Sequence, residues 1–180
     1  MRWEALFDDF EAQAAEAVRA QFEAHVGELA RTEQSAATLA DRLRGQGSAS
    51  LDFELRGNSR FSGRVVTVAE TWCSIESGPR AVLIPLAAVV SVAGLARRAL
   101  QEPIGVRRQM GITSALRALA RDRSSVACHL DTRNGEPRVA TGMIDGVGRD
   151  YLELASSGEG VTRSTTLVPL GALVAVASQR

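Results

Sequence analysis

A chain of 180 residues with 45% hydrophobic content carries enough apolar side chain for one large domain or two small ones, so a packed globular protein is the default. Its 21 basic residues are all Arg and are matched by 21 acids, which removes whole-chain charge as a pointer to a polyanionic partner. The lack of Lys beside abundant Ala and Gly points to a GC-rich bacterial genome, which concerns origin and not chemistry.

Residues 1–34 set Trp3, Leu6, Phe7, Phe10, Ala14, Ala17, Val18, Phe22, Val26 and Leu29 at steps of three and four. That is the period of one amphipathic helix, with Gly27 as its weak point. Three Arg stand against eight acids there, a balance of −5. The apolar face needs a cover, and the chain's own domains, a second copy and a partner groove are all open. The dense aromatic end, Trp3, Phe7 and Phe10, is the candidate partner or dimer contact. The opening "MRWEALFDDFEAQ" holds four acids and no apolar core, unlike a secretory signal.

Residues 35–96 read as a unit. A short helix in "SAATLADRLRGQ" puts Leu39 and Leu43 on one face, and an alternating strand follows with Leu51, Phe53 and Leu55. After the turn "RGNS" come a long bent strand with Gly63, Val65 and Val68, then a strand with Trp72 and Ile75. The phrase "LIPLAAVVSV" at 83–92 is two short strands broken at Pro85, because proline cannot donate to a ladder in mid-sheet.

An Arg-rich connector occupies 97–111. Over 94–123, Arg97, Arg98, Arg107, Arg108, Arg117, Arg121 and Arg123 oppose only Glu102 and Asp122, a balance of +5. These seven are the candidate nucleic-acid contacts, since clustered and helix-borne Arg are what phosphate binding uses. The stretch "IGVRRQMGITSALRALARDR" also has the outline of a helix-turn-helix with Gly111 at the turn. The competing reading is that the basic connector and the acidic helix neutralise one another or lie solvated.

Residues 112–180 repeat the first unit. Ile112, Leu116 and Leu119 share a leading helix, Val126, Cys128 and Leu130 alternate on a strand, and Gly142, Ile144, Val147, Tyr151 and Leu154 follow. Each stands 79 positions after Gly63, Val65, Val68, Trp72 and Ile75. The phrase returns at 167–176 as "LVPLGALVAV", 84 positions after its first copy, because "SSGEGVTRST" is longer than "SGPR". Leu86 and Leu170, after the two prolines, are expected to turn inward. The longest apolar stretch, "AVLIPLAAVVSVAGLA", is too short to span a membrane and is broken by Pro85 and Ser91, so no membrane partner is expected.

The pattern resembles the Sm-like family, whose units carry a leading helix and a five-stranded bent sheet. Its first motif sets a Gly before apolar positions two and five later and a large apolar residue nine later. Gly63, Val65, Val68 and Trp72 fit, as do Gly142, Ile144, Val147 and Tyr151. Its second motif is an Ile-Arg-Gly turn, where this chain has Ile84-Pro85-Leu86 and Val168-Pro169-Leu170. The resemblance covers roughly 36–95 and 112–178. It implies a mainly β fold with helices: an N-terminal amphipathic helix, then two small bent five-stranded barrels, each led by a short helix. The acid, Asn and Arg-Gly with which family members hold RNA are replaced by Ala69, Cys73, Gly148, Leu152 and two Pro-Leu pairs. Those substitutions remove the hydrogen bonds that read a base edge, so uridine recognition of the family's kind is not expected.

Cys73 and Cys128 lack CxxC spacing and read as buried thiols of a reducing cytoplasm rather than a disulfide or zinc site. His25 lies on the first helix, and His129 and Asp131 on a strand with no nucleophile placed beside them. No metal-protease, P-loop or dinucleotide motif occurs, and neither an enzyme, a cofactor nor a small-molecule substrate is expected. The expectation is a non-enzymatic interaction or assembly module, a dimer or higher even assembly. Its candidate contacts are the charge-free edge strands around Val89 and Val92 and around Leu173 and Val176; copy one is expected to pair with copy two inside the molecule, leaving one edge at each end for a second chain or the N-terminal helix to cover. The alternative is a nucleic-acid-binding regulator working through the connector and the helix at 112–123.

Overall fold

The computed structural model describes residues 36–101, 110–132, 136–156 and 164–179. The N-terminal helix expected over 1–34 lies outside them, as do Arg107 and Arg108. Residues 38–180 form one unit by themselves.

Helix α1, Leu39–Arg44, starts at Thr38 because two orphan backbone donors are satisfied there. The Thr38 hydroxyl accepts from the Asp41 N–H at 3.2 Å, and the Thr38 N–H donates to the Asp41 carboxylate at 3.1 Å. The helix buries Ala40, Asp41 and Leu43. Helix α2, Ile112–Arg121, begins at Gly111 without a side-chain cap and buries Ala115 and Leu116.

The remainder is β-structure: β1 Ser50–Leu55, β2 Ser59–Val68, β3 Trp72–Ser77, β4 Arg80–Pro85, β5 Val89–Ala93, β6 Ser125–Asp131, β7 Pro137–Val147, β8 Tyr151–Ser156, β9 Ser164–Pro169 and β10 Leu173–Ser178. All ten belong to one open antiparallel sheet in the order β5-β1-β2-β3-β4-β10-β6-β7-β8-β9. The two separate barrels expected from the sequence are therefore not two separate sheets. The last strand in the chain inserts between the halves, pairing β4 on one side and β6 on the other.

Within this sheet the first five strands run 5-1-2-3-4 and the last five run 10-6-7-8-9, the same order once the second set is counted from β6. Local irregularities recur with it. The β2–β3 register slips between Val65 and Thr67, and the β7–β8 register between Ile144 and Gly146. Such bulges bend a strand and raise its twist. Just before each bulge, a Cβ on Gly63 would collide with the Glu76 carbonyl, and one on Gly142 with the Ala155 carbonyl. Only glycine lets the bent strand lie this close to its neighbour. Both phrases break as expected: Pro85 (φ −62, ψ 128) and Pro169 (φ −61, ψ 134) each lead a single 3-10 turn before the next strand. Leu86 and Leu170 are only half-buried, packed on the rim of the core rather than inside it.

Burial is organised in two clusters. One gathers Leu43, Leu51, Phe53, Leu55, Ile75 and Ile84 from the first half with Ala127, Val174, Ala175 and Ala177 from the second. The other gathers Leu116, Val126, Leu152, Leu154 and Val168 from the second half with Ala69, Trp72 and Leu83 from the first. Leu173 and Val176 of β10 join this second cluster, so β10 supplies both cores.

Candidate functional site

The internal junction between β4 and β10 shows what an edge of this sheet does when it finds a partner. Val176 lies opposite Leu83 and Ala177 opposite Val82. Just beyond, the Ala81 N–H donates to the Ser178 hydroxyl at 3.0 Å. Trp72, next to the turn that leads into β3, is 6% exposed and donates its indole N–H to the Met110 carbonyl at 2.7 Å, just ahead of α2. A Trp buries its ring well only where its N–H finds an acceptor, and here the approach to the second half supplies one.

A second seam lies at the β1–β2 turn. The Arg56 guanidinium donates to the Gly171 carbonyl at 3.3 Å and sits 3.6 Å from the Asp131 carboxylate. Phe61 meets the His129 ring edge-on, centroids 5.0 Å apart. Burial, and then the charge of Arg80, hold His129 below its ordinary 6.5. His129 and Asp131 thus face the first half of the molecule with different partners.

The two outer edges are β5 and β9. Val89 and Val92 lie on β5, half-buried, as the sequence reading placed them at an edge. Leu173 and Val176 do not lie at an edge. They are buried on β10 because that strand is paired on both sides, and the free edge of the second half is β9. Two charge-free strands read alike by composition, and only the long-range choice of β4 by β10 tells them apart. Trp3, Phe7 and Phe10, the other candidate contacts, lie outside the described residues.

Arg97, Arg98, Arg117, Arg121 and Arg123 are all exposed, and none is in an ion pair among the described residues. The backbone around Arg97 and Arg98 is tied to the first helix. Arg42 donates through Nε and a terminal nitrogen to the Ala96 carbonyl, at 3.1 and 2.8 Å, and the Leu100 N–H donates to the Asp41 carbonyl at 2.9 Å. Arg121 and Arg123 border an open cavity of about 390 Å³ that also meets Asp145 and the start of β9.

Ala69, Cys73 and Leu152 are fully buried. The thiols of Cys73 and Cys128 belong to different clusters, are unpaired and are pushed up to about 12 by burial. Among the described residues, no group of three or more His, Cys, Asp or Glu is placed to hold a metal ion, and no helix is long and apolar enough to cross a membrane. In comparisons of the chain with family models, curated proteins and solved structures, no match was found.

Proposed function

We propose that this protein is a non-enzymatic interaction and assembly module built from two divergent units of the Sm-like kind, joined edge to edge. The observation that carries this reading is that the two halves share strand order, bulge, glycine contact and proline turn, and that among the described residues one sheet edge at each end has no paired strand. A sheet edge is a row of backbone donors and acceptors that recruits another strand, and these two carry no charged residue at the apolar phrase to discourage it. The buried thiols suit a reducing compartment such as the cytoplasm.

A second reading is supported by five exposed Arg that form no ion pair among the described residues: a nucleic-acid-binding regulator that uses the connector and α2. Five phosphate contacts imply an affinity that falls by about two to three orders of magnitude between 50 and 200 mM salt. One experiment separates the readings. The full chain is passed over immobilised single-stranded and duplex nucleic acid at rising salt, and its mass is measured in parallel by sedimentation. Association with protein that survives 200 mM salt, with no retention on nucleic acid, supports the module. A monomer retained on nucleic acid and released with that steep salt dependence transfers the conclusion to the regulator.

A further inference from the structure

The two halves differ in chemistry where the leading helix meets the bulged strand. In the first half one row across the sheet is Arg64, Glu76 and Ala81, with Arg64 and Glu76 joined in an ion pair. The same row in the second half is Met143, Ala155 and Thr165, which carries no charge. The helices differ too: α2 has ten residues against six in α1, and its last turn brings Arg121 to a cavity that Met143, Ala155 and Thr165 also line. The chain leaves α1 through Gly47, left-handed at φ 70, but leaves α2 through Arg123, left-handed at φ 50. A side chain adopts that backbone only at a cost, strain of this kind concentrates at ligand sites, and the Arg123 side chain borders the same cavity. At about 390 Å³ the cavity is within the size range of small-molecule sites. Its counterpart beside Gly47, about 280 Å³, is walled by Val65, Val66, Val68 and Leu100, and the Arg44 on its rim is paired with Asp41. Asp145 stands where the first half has Val66, and it pairs with neither Arg121 nor Arg123.

We infer that this cavity binds a small hydroxylated phosphate monoester, of the class of polyol and sugar phosphates. Arg121 and Arg123 take the phosphate, because guanidinium N–H donors match phosphate oxygens in geometry and charge. The Thr165 hydroxyl supplies a further donor from β9. The two guanidiniums outweigh the roughly half negative charge that a helix C-terminus presents. Asp145 disfavours a ligand that is anionic at both ends and accepts from a ligand hydroxyl, while Met143 and Ala155 offer the carbon chain an apolar floor. None of Gly148, Leu152, Pro169 and Leu170, the positions tied to RNA by the resemblance, lines the cavity. The site goes beyond the assembly reading and does not depend on whether the chain self-associates.

Heteronuclear NMR titration of the full chain tests it, with glycerol phosphate, inorganic phosphate and glycerol as probes at low salt. Glycerol phosphate should shift the backbone amides of Arg123, Asp145 and Thr165 and saturate at one site, with a dissociation constant of about a millimolar or tighter. Inorganic phosphate should bind the same site more weakly, and glycerol not at all. Arg123→Gly is the sharpest variant, since it removes a guanidinium and relieves the left-handed backbone. Binding should weaken by about tenfold or more while the urea midpoint holds or rises. Arg121→Gln, at an exposed position, should weaken both phosphates likewise. Asp145→Ala should leave inorganic phosphate as tight or tighter and erase the preference for glycerol phosphate. No saturable shift at these amides up to about 10 mM probe overturns the inference, as does binding that both Arg variants leave undiminished. Equal affinity of the wild type for the two phosphates overturns the hydroxylated class. A short oligonucleotide that displaces glycerol phosphate with a steep salt dependence overturns the small ligand and counts for the nucleic-acid regulator.

Discussion

Trp72 and Tyr151 occupy one position in two surroundings, and substitution should expose the difference. Trp72→Ala empties a buried site and strands the Met110 carbonyl, at a cost of about 3–5 kcal/mol, whereas Tyr151→Ala on the isolated chain should cost about 1 kcal/mol or less. Urea unfolding of the two variants at a concentration where the wild type is monomeric gives the comparison. His129 supplies a pH dependence of definite sign. Its folded pKa is depressed, so the unfolded chain takes up the proton first, and stability is intact above about 6.5 and falls as pH drops below it. Urea midpoints between pH 5 and 8 should show that fall, and His129→Gln should flatten it. Equal acid sensitivity in the variant would mean that other groups carry the effect. Cys73 and Cys128, with thiols near 12, should resist a thiol reagent at pH 8 in the native protein and react fully in denaturant.

At the level of elements, the paired glycines are the sharpest test of the shared architecture. Gly63→Ala and Gly142→Ala each drive a methyl group into a facing carbonyl, and each should cost about 1–3 kcal/mol, whereas Gly171→Ala meets no neighbour and should be close to neutral. Thermal denaturation of the three variants would show it. These glycines, the alternating strands, the leading helices and the proline breaks were legible in the sequence because each is a local matter of period, donor loss or close approach. Pairing of the two halves inside the molecule was legible too, from their uncharged edges; what was not legible is that β10 makes it. The phrases at 83–92 and 167–176 are nearly the same, so nothing local says that Leu173 and Val176 are enclosed while Val89 and Val92 stay at an edge. The same holds for Trp72 and Tyr151, two large aromatic residues at one motif position, of which the first leans on the approach to the second half and the second is exposed. Pairing across some 90 residues is decided by which edge is in reach, and side-chain pattern does not encode reach.

For the molecule as a whole, the joint between halves is a shared strand rather than a linker. Removing residues 173–180 takes Leu173 and Val176 from one cluster and Val174, Ala175 and Ala177 from the other, so both halves should lose cooperative unfolding together in calorimetry. A truncated chain in which 38–96 still melts sharply would show that the first half closes by itself. The same placement matters during synthesis. Between Pro85, where β4 ends, and Leu173, where β10 begins, the ribosome must add nearly 90 residues, roughly 4 to 20 seconds of elongation. Once β5 has followed at Ala93, the first half is complete in its own five strands, yet its β4 edge and the Leu83 and Trp72 side chains wait in water for a strand not yet made. On a crowded polysome the β10 of a neighbouring nascent chain can reach that edge first, and the exchange yields interlocked molecules in which every contact is native and no chain is whole by itself.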